Sequence, residues 1–279
     1  MKQLKNNLKI KKSLLCLLLA LCCLLSLGCG RSQTEQTSPD EEPPAFFGIH
    51  NIEIWQGDGI AYREGVSAVD DRDGTVPFTV DAAEVNKNAP GIYTVYYLAI
   101  DAAGNEALAT ATVTVKAREI TYGELWEKVD ALIAERDFDS LSTTELCTEL
   151  YNYIKGRMSY GSTSDKTDWV AEAYRGLSAR SGDCFTYYAV ARAFFERLGV
   201  EVLTVQRTPN VLPTTHYWLL VNVGNGDEPS YYHWDACPHP MEHPLTSILL
   251  TDAELLAYNE KVPHYYTFDQ NLYPATPIK

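Results

Sequence analysis

The chain has 279 residues, enough for one large domain or two modest ones. Its formal net charge is -14, yet residues 1–29 hold five lysines and no acid, so the remainder carries 18 basic against 37 acidic residues. A surface that acidic repels phosphate backbones, and no nucleic-acid partner is expected.

In chain order, a lysine-rich start precedes an apolar run from Ser13 to Leu27, short for a membrane span, and reads as an export signal. The run ends at Ser26-Leu27-Gly28-Cys29, which resembles a lipoprotein signal box with Cys29 as the lipidated residue. An ordinary secretory signal and a single membrane anchor are the alternatives. All three place the rest of the chain outside the membrane. The expected location is extracytoplasmic, held at a bacterial cell membrane through a lipid on Cys29. Residues 30–45 are polar and proline-bearing and read as a flexible tether. Beyond residue 29 three cysteines remain, Cys147, Cys184 and Cys237. An odd number leaves at least one thiol unpaired within the monomer.

Residues 46–117 read as all-β. Ala107 to Val115 alternates small apolar residues with threonine, a period of two. Ile92 to Ile100 is a second strand, entered through Pro90-Gly91, and turn signals stand at Gln56-Gly57-Asp58-Gly59, Asp73-Gly74 and Ala103-Gly104-Asn105. Short strands at this density predict a small β-sandwich. The segment resembles bacterial immunoglobulin-like surface modules in its acidic turn Asp70-Asp71-Arg72-Asp73-Gly74, its Gly91-Ile92-Tyr93-Thr94-Val95-Tyr96-Tyr97 strand and its Asp101-Ala102-Ala103-Gly104-Asn105 turn. Asp70, Asp71, Asp73 and Asp101 offer calcium-type ligands, but their spacing is not that of an EF-hand and turn formation is the favoured reading.

Residues 118–279 alternate helix and strand patterns. Leu125, Val129, Leu132 and Ile133 share a helical face, and Ser142 with Glu145 makes a capping box for the next helix. Gly182-Asp183-Cys184 then opens a helical pattern that Gly199 stops. Asp183 as N-cap puts Cys184 in the first turn, where unpaired amides and the helix dipole favour a thiolate. His216 opens a strand to Val223, and Tyr231 to Asp235 is the next strand. A two-residue turn at Asn225-Gly226 would set His216 directly opposite Asp235 on one sheet face, as an orienting carboxylate requires, with Pro229 as a potential bulge.

Gly182-Asp183-Cys184 on a helix, followed by a histidine on one strand and an aspartate on the next, resembles the core of the transglutaminase-like superfamily. The flanking words Met158-Ser159-Tyr160, Asp168-Trp169-Val170, Arg197-Leu198-Gly199 and Tyr232-His233-Trp234-Asp235 match in order. The resemblance implies an α+β, papain-like fold and acyl transfer through a thioester. Cys184 would be the nucleophile, His216 the proton carrier and Asp235 its orienting partner. The Cys184 amide and a side chain, Tyr160 or Trp169, would receive the oxyanion. The implied substrate is a protein or peptide, such as a cell-wall peptide, with hydrolysis favoured over cross-linking. No cofactor and no metal are expected, and the oligomeric state stays open.

Other readings stand beside this one. His233 shares the Asp235 face and is the rival base. Cys237, His239 and His243 have a zinc-like spacing, interrupted by Pro238 and Pro240. A Cys147–Cys237 disulfide would leave Cys184 as the free thiol. Tyr151, Tyr153, Tyr160, Tyr174, Tyr187, Tyr188, Tyr231 and Tyr232 serve as core and rim packing or as a substrate groove. The alternative function is a non-catalytic cell-surface binding or adhesion lipoprotein that uses the same groove.

Overall fold

A computed structural model describes residues 39–161, 164–225 and 228–278. The expected signal and the lipidation at Cys29 lie outside them. No helix among the described residues is long and apolar enough to cross a membrane. The fold is mixed α+β.

Seven strands come first. β1 (Ala45–Phe47), β3 (Ser67–Asp70) and β4 (Gly74–Val76) form one antiparallel sheet. β2 (Ile52–Trp55), β7 (Glu106–Lys116), β6 (Gly91–Ile100) and β5 (Phe78–Asp81) form the other, in that order, with β2 parallel to β7. Alternation along β6 and β7 sends Val95, Tyr97, Ala111, Val113 and Val115 into a shared core with Ile54. Three of the four aspartates bond turn amides. Asp70 Oδ1 accepts from the amides of Arg72 and Asp73, Asp73 Oδ2 from Ala102, and Asp101 Oδ1 from Asn105.

The helices follow: α1 (Tyr122–Arg136), α2 (Thr143–Arg157), α3 (Trp169–Ala179), α4 (Cys184–Arg197) and α5 (Asp252–Asn259). Thr121 with Glu124 and Ser142 with Glu145 close complete capping boxes at the first two. Short strands β8 (Ser159–Tyr160) and β9 (Ser181–Gly182) pair in parallel just ahead of α4. The antiparallel sheet β10 (Val202–Gln206), β11 (Tyr217–Asn222), β12 (Tyr231–Asp235) and β13 (Ser247–Leu250) packs against the helices. Leu219, Val221 and Trp234 face the helical core around Phe194 and Phe195. Val205, Trp218 and Leu220 face the opposite way, toward Leu255, Tyr258 and Tyr266 of the C-terminal segment.

The β11–β12 register differs from the expectation. Leu219 pairs with Trp234 and Asn222 with Tyr231, whereas a turn centred on Asn225-Gly226 would have paired Leu219 with Tyr232. The cause lies in the side chain of Asn225. Its Oδ1 accepts from Glu228 N–H, and the two residues form an isolated bridge, so Asn225 takes the first turn position rather than the second. Val223 N–H still bonds Ser230 carbonyl, so Pro229 adds no bulge to this ladder. Gly224 fits there because a Cβ would stand 2.1 Å from the Glu228 carbonyl oxygen. The slip is two residues, which preserves side-chain parity. His216 and Asp235 therefore share a face as diagonal neighbours.

One buried cation ties the β-rich part to the helical part. The Arg118 side chain is 1% exposed, bonds Asp168 through Nη1 and Asp58 through Nη2, and donates from Nε to the Gln56 carbonyl. Trp55 Nε1–H reaches the Thr167 carbonyl at 3.2 Å. Asp168 is also the N-cap of α3. The junction is thus anchored at the helix that precedes the Cys184 segment.

Candidate active site

Cys184 is the first residue of α4, and Asp183 caps the helix by accepting from the amides of Phe185 and Thr186. Gly182 is required by packing, since a Cβ there would lie 2.1 Å from Thr186 Oγ1. A charged aspartate beside a thiol would disfavour the thiolate. Lys166 Nζ sits 2.8 Å from Asp183 Oδ2, and Ser164 donates to the same carboxylate, so much of that charge is offset. Burial pushes the Asp183 carboxyl up, but these donors outweigh it and its pKa is lowered. Sequence reading did not single out Lys166 or Ser164. They come from a loop with no periodicity.

His216 stands just ahead of β11, 4% exposed, with Nε2 2.8 Å from Asp235 Oδ2. Burial opposes the charged ring, yet Asp235 and Cys184 outweigh it and raise its pKa to about 9. Cys184 Sγ donates to the Thr215 carbonyl at 3.5 Å, at the residue next to His216. The structure therefore brings Cys184, His216 and Asp235 together.

Asp235 is fully satisfied. Oδ2 also accepts from Tyr266 O–H at 2.7 Å, and Oδ1 accepts from Cys237 N–H at 2.8 Å. Burial acts to raise its pKa, and His216, His239 and Tyr266 together lower it. The Tyr266 oxygen bonds His239 Nε2 at 2.6 Å. Arg207 fastens the approach to His216. Its N–H bonds the His216 carbonyl, Nη1 the Thr214 carbonyl and Nε the Tyr265 carbonyl, each within 3.0 Å. Neither Arg207 nor Tyr266 was legible as a site residue. Arg207 lies only nine residues before His216, but no local pattern marks it, and Tyr266 arrives from a segment 31 residues beyond Asp235.

The two oxyanion candidates have different surroundings. Tyr160 is 58% exposed on β8. Burial and the neighbouring Cys237, Cys184, Asp183 and Asp235 push its phenol up to about 12, which places it within electrostatic reach of Cys184. Trp169 is buried in an aromatic group with Tyr122 and Trp126, and the Arg192 guanidinium lies over its ring.

The rival readings receive plain answers. Both ring nitrogens of His233 are occupied. Nε2 bonds Asp252 at 2.8 Å and Nδ1 accepts from Trp218 Nε1–H at 2.9 Å. Burial lowers its pKa against the pull of Asp252. That ring has no nitrogen available to a thiol. Cys147, Cys184 and Cys237 are all free, so no Cys147–Cys237 disulfide forms. Cys237 is buried and His243 exposed, and among the described residues they do not converge with His239 on a common point.

Comparison with known proteins bears mainly on the β-rich part. The family described as "Bacterial surface protein, Ig-like domain" matches residues 50–115. No curated protein matches the chain. The chain is similar to a structure of the CBM51-2 domain in complex with GlcNAc and INT domains of Clostridium perfringens ZmpB, at 22% identity and a TM-score of 0.25, covering 27% of this chain and 17% of that one. It is similar to a candidate cysteine protease from Cytophaga hutchinsonii, at 16% identity and a TM-score of 0.34, covering 46% and 43%. A lipoprotein from Bacteroides thetaiotaomicron shares 23% identity at a TM-score of 0.22, covering 28% and 40%. The chain spans less than half the length of each of these structures.

Proposed function

We propose that this protein is an exported, transglutaminase-like thiol enzyme that acts on amide or isopeptide bonds of proteins or cell-wall peptides. The observation that carries this reading is the buried His216 ring, held by Asp235 at Nε2 and beside Cys184 in the first turn of α4. A pKa of about 9 lets the ring take the thiol proton at neutral pH. The thiolate sulfur then bonds the amide carbonyl carbon, and the imidazolium returns its proton as the carbon–nitrogen bond breaks and the amine leaves. Water, deprotonated by His216, opens the thioester to a free carboxylate. The Phe185 and Thr186 amides are taken by Asp183, which leaves the Cys184 amide, with Tyr160 as its side-chain partner, to receive the oxyanion. In this reading residues 46–117 are a surface module and residues 118–279 the enzyme. The immunoglobulin-like match supports an extracytoplasmic site of action, with a lipid on Cys29 as the anchor.

The test is labelling by a small thiol-directed acylating probe, with the modified residue read by mass spectrometry. Wild type should label at Cys184 alone, and Cys184→Ala should lose the label. Burial pushes the Cys147 thiol up to about 12 and the Cys237 thiol well above its usual value, so neither should compete. Equal labelling of both proteins, or labelling at Cys147 or Cys237, would sink the reading.

A further inference from the structure

A second concavity, outside the Cys184 site, has a volume of about 660 Å³ and is lined by Arg136, Glu149, Asn152, Tyr153, Arg157 and Arg180, among others. It is of ligand size. Three guanidinium groups stand against one carboxylate, in a chain whose net charge is -14. Arg136 ends α1, Tyr153 and Arg157 belong to α2, and Arg180 follows α3 in a left-handed conformation at φ 54°. Three separate segments thus bring positive charge to one place.

These cations are poorly neutralised. Arg136 lies 3.9 Å from exposed Glu135. Among the described residues neither Arg157 nor Arg180 pairs with a carboxylate. The guanidinium groups of Arg136 and Arg157 lie 5.2 and 5.4 Å from the Tyr153 ring centre. Burial raises the Tyr153 pKa; Arg157, Arg136 and Arg180 work to lower it and Glu135 to raise it, so all three arginines surround one phenol. Two polar atoms here are buried without a partner, Tyr153 Oη and Arg157 Nε. Buried donors left unpaired are costly, and a pair of them beside a cationic cleft is the signature of a missing acceptor.

We propose that this cleft binds a small oxyanion, a carboxylate or phosphate group, with the Arg136, Arg157 and Arg180 forks and the Tyr153 hydroxyl as donors. Planar guanidinium groups match both anions bidentately. Arg180 lies four residues before Cys184, a chain reach of at most about 14 Å, so the cleft neighbours the thiol site without sharing its residues.

Calorimetric titration of the full chain with inorganic phosphate and, separately, with citrate tests this. Saturable binding of either is expected, and which one binds identifies the anion. Arg157→Gln and Arg180→Gln should each weaken it about tenfold. Gly156→Leu gives a charge-neutral check. Gly156 lines the cleft and a Cβ on it meets nothing within 4 Å, so a leucine there is tolerated by the fold and should crowd the cleft, weakening binding while helical circular dichroism is kept. Cys184→Ala should bind as wild type does, which separates this site from the fate of the thiol mechanism. No saturable binding of either anion, binding unmoved by all three cleft variants, or binding lost in Cys184→Ala would overturn the proposal.

Discussion

Two histidines stand on one face of the C-terminal sheet, and each has a carboxylate oxygen 2.8 Å from its Nε2, Asp235 for His216 and Asp252 for His233. By that measure the two regions are the same. They differ in what meets the other nitrogen and in how dry the carboxylate is. Trp218 donates to Nδ1 of His233, which fixes that ring as neutral, and Asp252 keeps 24% of its side chain exposed. Around His216, among the described residues, no donor occupies Nδ1, the ring lies beside Cys184, and Asp235 is 4% exposed. The outcome is opposite: the His233 pKa is lowered and that of His216 is raised to about 9. A histidine–carboxylate pair is therefore not in itself a catalytic signature. The free nitrogen and the desolvated partner are what set the His216 pair apart from the His233 pair.

The sharpest way to break this comparison is to remove each carboxylate in turn. Asp235→Asn should slow acylation of Cys184 by about 10²–10⁴-fold, because the imidazolium loses its counter-charge. Asp252→Asn should leave that rate within about threefold and instead cost about 1–3 kcal/mol in urea unfolding. Similar rates for the two variants would erase the distinction.

The pH dependence of stability should separate the same two regions. The folded pKa of His216 lies near 9, above about 6.5 in the unfolded chain. Its contribution, about 3 kcal/mol, is complete below pH ~6.5 and is lost as pH rises through about 9. His233 has the reverse sign: its pKa is lowered on folding, so its protonation in acid opposes the fold. Urea unfolding between pH 6 and pH 10 should show a steeper alkaline decline in wild type than in His216→Gln. Parallel curves would mean that His216 is not held charged.

How much of this was legible follows from the range of each interaction. The Asp183 cap and the helical start of Cys184 are local, and short-range chemistry sets them. The shared face of His216 and Asp235 follows from alternation, and it survived a register slip because the slip was even. The slip itself was hidden, since Asn225 is competent at either of two turn positions and only its bond to Glu228 decides. Strand limits moved slightly too: β11 begins at Tyr217 rather than His216. Nothing local announces Tyr266 or Arg207. The role of Tyr266, and the third bond of Arg207, exist only once the chain after α5 folds back over the sheet.

That fold-back supports the smallest of the expected effects. Tyr266 donates to Asp235 Oδ2 and bonds His239 in turn, so Tyr266→Phe removes one donor while keeping the ring. Loss of one such bond should slow Cys184 acylation about tenfold, near 1.4 kcal/mol. The Asp235 pKa should then rise, because Tyr266 helps to hold it low. With one donor fewer, the still-ionised carboxylate carries more of its charge toward the imidazolium, so the alkaline limb of the rate profile should move to higher pH. A purely packing role for Tyr266 would lower the rate without moving that limb. The matching change beside the other histidine is Thr276→Val, which removes the hydroxyl that accepts from the Asp252 amide. It should alter the rate by less than about twofold and leave the profile in place, since Asp252 serves a ring whose two nitrogens are already spent.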